Sequence, residues 1–207
     1  MRFVKRQYVL SWYFFKNRLQ RYFWGASILF FGAALVTGVV IARNPQLLSQ
    51  LLEAISATFT SKGVYRADGG LSLVAVLFGN IRATATTALM GLVPFLFLPL
   101  FSLGVNAAIL GVLGAAYTSY GAGLFTYLMG ILPHGIFELP AIVLSCALGA
   151  YLCFELVCKL AGQRRGVPFT AVLVNALRLY LTVAVPLLLI AAPVEVYITP
   201  HIFALFL

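Results

Sequence analysis

Charge is what this sequence has least of. Only 9% of its 207 residues are Asp, Glu, Lys or Arg, where a soluble globular chain carries about 25%. Five acids stand against fourteen bases. Three cysteines, Cys146, Cys153 and Cys158, share one apolar stretch, with no zinc spacing and no disulfide framework, and read as small buried residues. There is no His-Glu-x-x-His, no Gly-x-Ser-x-Gly and no glycine-rich phosphate loop. These absences argue against a soluble domain and against an enzyme, and call for no cofactor or metal. What is present is apolar: 62% hydrophobic residues and a mean hydropathy of +1.02. A chain this short still exposes much of its surface, so that surface must face lipid. The expected fold is all-α, a polytopic transmembrane bundle of about five spans.

The net charge of +9 is unevenly placed. Arg2, Lys5, Arg6, Lys16, Arg18 and Arg21 crowd the start, interleaved with Phe3, Tyr8, Trp12, Tyr13 and Phe14. That pattern predicts a basic interfacial helix over 1–21 beside an anionic leaflet, and excludes nucleic acid as the partner. The whole chain, 1–207, reads as one membrane domain, with the bundle over 22–200. Phe23–Ala42 is an uncharged run of spanning length rather than a signal peptide, ended by Arg43-Asn44-Pro45. Gln46–Thr60 places Leu48, Leu51, Leu52, Ile55 and Phe59 at helical intervals, predicting an amphipathic helix on the opposite membrane face. Ser61–Gly70 is the most polar loop. Ala83–Phe137 holds 55 residues without a charge, divided here into spans near Ala83–Ser102 and Gly104–Ser119, with Leu71–Arg82 extending the first of them. Pro133 and Pro140 predict a half-helix, a break and a span at Leu139–Cys158; a sixth span or a re-entrant pair is the rival. The last span is set at Ala176–Tyr197.

The Lys/Arg bias sets the orientation. With the N-terminus cytoplasmic, that face also collects Lys159, Arg164, Arg165 and Arg178, and the other face keeps Arg43, Lys62, Arg66 and, at most, Arg82. The expectation is a multi-pass cell-membrane protein with its C-terminus outside.

An ionisable group at membrane depth costs roughly 2.5–3.5 kcal/mol on insertion scales and marks a candidate site. Pro133, His134, Gly135, Glu138 and Pro140 form the densest such run, with His134 and Glu138 on one helical face. One reading has His134 bond to Glu138 or a carbonyl and hold the broken helix. Metal ligation and a proton or ion path are the alternatives, although two ligands make an incomplete metal site. Asn80 and Arg82 flank the outer end of the second span, where Arg82 either snorkels or pairs with Glu138 or Glu195. Asn106 is placed to bond across helices. Glu195 is expected to be shallow and wet, Glu155 to pair with Lys159, and His201 to be interfacial. The rows Ala34, Gly38, Ala42 and Ala107, Gly111, Ala115 suit close helix approach, within one chain or in a homodimer.

These residues together resemble the stage II sporulation protein M family of integral membrane proteins. The resemblance rests on Pro133-His134-Gly135-Ile136-Phe137-Glu138-Leu139-Pro140-Ala141. Asn80, the Asn106…Gly111 spacing and the Ala191-Ala192…Glu195…Thr199-Pro200 ending support it. One departure is Asn106-Ala107, where the family has Asn-Gly. The resemblance implies a non-enzymatic scaffold for envelope-remodelling partners, namely peptidoglycan hydrolases like the stage II sporulation proteins D and P. It transfers no catalytic residue. A small transporter, channel or lipid-handling protein with its site at 133–140 is the other reading kept open.

Overall fold

A computed structural model describes residues 2–65, 70–163 and 166–206. Arg66, Asp68 and Gly69 of the polar loop, and Arg164 and Arg165 of the charge count, lie outside the described residues. Helix α1 (Arg2–Phe14) continues through a π-turn (Phe15–Leu19) into α2 (Gln20–Ala42), then come α3 (Pro45–Ser61) and α4 (Leu73–Leu89). They are followed by α5 (Leu98–Ser119), α6 (Gly123–Leu160), α7 (Phe169–Leu179), α8 (Val185–Pro193) and α9 (Thr199–Ala204). Helices α7 to α9 join through π-turns at Tyr180–Ala184 and Val194–Ile198 into one rod. Five helical stretches are long and apolar enough to cross a membrane: 3–42, 73–92, 98–119, 123–160 and 169–204. Ile28, Leu35, Phe78 and Phe101 are at least 65% exposed, as lipid-facing side chains must be.

Over 141–153 the helix Gly123–Leu160 is apolar nearly all round and the others pack about it. Ala141, Cys146, Ala147, Leu148 and Cys153 are essentially fully buried, the burial pattern of a central helix. It runs unbroken through Pro133 and Pro140, so the expected half-helix, break and re-entrant pair are not formed. In water an interior proline costs about 3 kcal/mol. In lipid an unwound segment strands several backbone groups instead of one, and the continuous helix is the cheaper answer. At 1.5 Å per residue its 38 residues reach about 57 Å, well past a hydrocarbon core of about 30 Å.

The second span lies at 73–92, about ten residues earlier than Ala83–Ser102, and the third begins at Leu98 rather than Gly104. Pro94 decides this. It disfavours helix at Val93, which is extended (ψ 105°), and the turn closes with Phe95 and Phe97 at positive φ. Cys153 and Cys146 cover this break, their thiols directed at the carbonyls of Val93 and Pro99 at 3.6 and 3.4 Å. The N-terminal helix does not end at Arg21, because basic residues are good helix formers and mark no boundary. It packs along α7, with Ser11 bonded to Thr182 at 2.8 Å and Gln7 accepting from Arg178. Helix α3 forms as its periodicity predicts, capped by the Asn44 side chain on Leu47 N at 3.1 Å. Leu48, Leu51, Leu52 and Ile55 seat it on Ile41, Val112 and Ala115, at the end of the bundle away from α1.

The two small-residue rows meet each other. A Cβ on Gly38 would stand 3.2 Å from the Gly111 carbonyl, and one on Gly111 would stand 2.4 Å from that of Ala34. The α2–α5 crossing uses both rows inside one chain. A second glycine crossing, Gly91 against Gly149, locks the end of the second span to α6.

Candidate functional site

Two elements build the site. Along α6, His134 and Glu138 are one turn apart, and their Nε2 and Oε2 atoms lie 3.9 Å apart. Facing them is the π-turn Val194–Ile198, which carries Glu195, followed by Thr199. His134 Nδ1 meets Thr199 Oγ1 at 3.1 Å. The Thr199 hydroxyl donates to the Val194 carbonyl at 3.1 Å and so closes the wide turn. One ligating atom each of His134, Glu138 and Glu195 lies within 4.8 Å of those of the other two. All three side chains are partly buried, while Thr199 is buried.

The π-turn has a local cause. It ends two residues before Pro200, as the turn at Tyr180–Ala184 ends two residues before Pro186. A proline ring collides with the carbonyl four residues back, and one extra residue per turn opens room for it. The same widening sets where Thr199 falls relative to His134.

Beside Glu138 is a small cavity of about 30 Å³, lined by Asn80, Ala83, Thr84, Thr87, Asn106 and Ile142. It is roughly the space of one water. Asn106 donates to Ser102 of its own helix at 2.9 Å and lines this cavity, rather than bonding across helices. Thr87 shares a 2.6 Å hydrogen bond with Ser102, and Thr84 a 3.0 Å bond with Tyr180. Tyr180 also donates to the Ile81 carbonyl. Together these bonds tie α4, α5 and the last rod around the cavity.

Three expectations need correction. The last span does not end at Tyr197 but runs on to Ala204, which puts Glu195 about 14 Å from that end, its side chain partly buried against α6. Arg82 lies mid-way along 73–92, not at the span's outer end, and is exposed on the face of α4 turned from the cluster. Among the described residues it makes no ion pair with Glu138 or Glu195. Pro133 is an interior helix residue, not the start of a new helix. Gly135 is buried beside Ile131 and Leu139 of its own helix. Farther away, Lys159 stands over the Phe169 ring at 5.5 Å and Glu155 is buried at 7% exposure. His201 is exposed with its ring against the Tyr197 carbonyl. Thr84 and Tyr180 escape notice in the sequence, and Thr199 enters it only within the Glu195…Thr199-Pro200 ending, since uncharged hydroxyls give no signal by themselves. The nearest hint for Thr199 is its place between Glu195 and Pro200.

The family model described as Stage II sporulation protein M matches residues 27–200. The chain belongs to this family. No curated protein and no solved structure matches it. The stretch that matches the stage II sporulation protein M family contains every residue of the cluster and its cavity. It leaves out α1 and the π-turn after it, where five of the fourteen basic residues lie.

Proposed function

We propose that this member of the stage II sporulation protein M family is a non-enzymatic scaffold. It gathers envelope-remodelling proteins, peptidoglycan hydrolases resembling the stage II sporulation proteins D and P, at the cell membrane. One observation carries the reading. Polar groups at membrane depth converge on a packed contact between α6 and the last helix, and the cavity beside it has room for about one water. Such a contact clasps two helices and offers no passage for a solute. The continuous α6 removes the broken helix on which a transport site would be built. In this reading the end of the bundle formed by α1, α7 and the foot of α6 is cytoplasmic. Lys5, Arg6, Lys16, Arg18, Lys159 and Arg178 gather there against an anionic leaflet.

The test is cross-linking in the native membrane, with tagged full-length chain as bait. A peptidoglycan hydrolase should be recovered, and it should lose its membrane position when the chain is deleted. Ion or solute flux in proteoliposomes that Glu138→Gln abolishes would favour transport instead.

A further inference from the structure

The hydrogen bonds around His134 fix where its lone pair points. Thr199 has one hydroxyl hydrogen, and it goes to the Val194 carbonyl. Toward His134 the hydroxyl therefore only accepts, so the 3.1 Å contact puts the imidazole proton on Nδ1. Nε2 is left as an acceptor facing the Glu138 carboxylate at 3.9 Å, too far for a hydrogen bond. Glu195 adds a third set of acceptor oxygens within 4.8 Å. Among the described residues no Lys or Arg pairs with the cluster. Acceptors that face one another without a donor are costly away from water, and a cation among them removes the cost.

We propose that His134 Nε2, Glu138 and Glu195 bind one divalent transition-metal ion of the zinc class, which staples α6 to the last helix. One imidazole and two carboxylates suit zinc, whereas calcium and magnesium favour all-oxygen shells. A tetrahedral site with bonds of about 2.1 Å has ligands about 3.4 Å apart. Small side-chain rotations close the present separations to that value. A fourth ligand, water, fits the cavity of about 30 Å³ next to Glu138, where Asn80 and Asn106 can hold it. Thr199 is the positioning residue: by accepting from Nδ1 it turns the other ring nitrogen to the metal, as outer partners of metal-bound histidines do. The sequence alone supplies two of these ligands on one helix turn; the third comes from a residue 57 positions further on.

This inference rests on the clasp geometry and not on the scaffold role. The experiment takes the full chain in detergent, purified without a polyhistidine tag, stripped by chelator and dialysed against zinc. The expected result is one zinc per chain by elemental analysis and a higher Tm on adding zinc. Cobalt in place of zinc should give the visible absorption of a low-coordinate site. Glu195→Gln should lose the metal, and His201→Gln, an exposed histidine outside the cluster, should keep it. Thr199→Val retains all three ligands and should weaken zinc binding about 10–100-fold, a change that lost packing alone would not produce. Wild-type chain holding no more zinc than the His134→Gln, Glu138→Gln, Glu195→Gln triple variant overturns the proposal. So does equal binding by wild type and Glu195→Gln. Should the variants not fold, a wild-type cobalt complex without that absorption overturns it as well. None of these outcomes bears on hydrolase cross-linking, so the two proposals fail separately.

Discussion

Gly111→Ala, a single added methyl group, should destabilise the bundle, although the same change elsewhere in the same helix should not. The new Cβ would stand 2.4 Å from the Ala34 carbonyl, 2.8 Å from Gly38 N and 2.9 Å from Thr37 Cβ. The first two are backbone atoms, so no side chain can swing aside, and α2 must back away from α5 by roughly 1 Å. A gap of that size forfeits a quarter to a half of each dispersion contact it opens. Those contacts include Phe30 and Ala34 against Leu103 and Ala107. Overpacking of this kind costs about 1–3 kcal/mol, set against a gain of up to about 1 kcal/mol from replacing glycine within a helix. The net expectation is a loss of about 1–2 kcal/mol. Gly104 lies two turns earlier on α5 with nothing within 4 Å of its ideal Cβ. Gly104→Ala should therefore be neutral or stabilising by up to about 1 kcal/mol. Reversible unfolding of the full chain in mixed micelles, followed by tryptophan fluorescence, measures both. Gly111→Ala as stable as wild type, or Gly104→Ala the less stable of the two, would refute the crossing.

Four further outcomes follow from the same geometry. Glu138→Ala should lower the Tm of the zinc-loaded chain in detergent, because the ion joining His134, Glu138 and Glu195 loses a ligand; an unchanged Tm would sink the clasp. Tyr180→Phe removes the hydroxyl shared by Thr84 and the Ile81 carbonyl and should cost about 0.6 kcal/mol, up to about 1.7, by the same unfolding assay. Gly149→Ala drives a methyl group to 2.6 Å from Pro99 Cγ and 2.7 Å from the Thr87 carbonyl, and should be at least as damaging as Gly111→Ala. In a background with Cys146, Cys153 and Cys158 changed to alanine, Lys62→Cys should react with an impermeant maleimide from outside. Gln163→Cys should react only once the membrane is opened, and the reverse pattern would invert the topology.

Local signals reached the helices but not their phase in the membrane. The rows Ala34, Gly38, Ala42 and Ala107, Gly111, Ala115 each declare a close-packing face, and the structure shows them facing each other. Helix α3 was legible because Asn44-Pro45 caps it and its leucines repeat at helical spacing. The span limits were less so, because 55 uncharged residues carry no charge to mark where the lipid ends, and the turn at Val93–Phe97 is as apolar as its flanks. The prolines spoke ambiguously. Pro94 breaks the chain while Pro133 and Pro140 do not, and no local signal separates them: both of the latter stand inside the 38 residues of α6, whereas Pro94 sits in a turn with Phe95 and Phe97 at positive φ.

The polar cluster shows the same division and gives it a mechanical reason. His134 and Glu138 are readable as a pair because four residues of α-helix bring them together by themselves. Glu195 joins them because it stands three, four and seven residues after Ala192, Ala191 and Leu188, on the face that seats the last helix, and Thr199 joins them only because that helix holds one extra residue in the turn Val194–Ile198. Each residue of an α-helix advances about 100° around the axis. Restoring a plain α-helical turn there would swing the residues after it, Thr199 among them, by about that angle relative to the buried residues Leu188, Ala191 and Ala192 that seat the rod on the bundle. Thr199 would then lose both the Val194 carbonyl and His134. Pro200 makes that relaxation unfavourable, since its ring needs the space that the wide turn provides. The Glu195…Thr199-Pro200 ending is thus one device. The proline holds the turn open, and the threonine closes its stray carbonyl and orients His134 beside the glutamate.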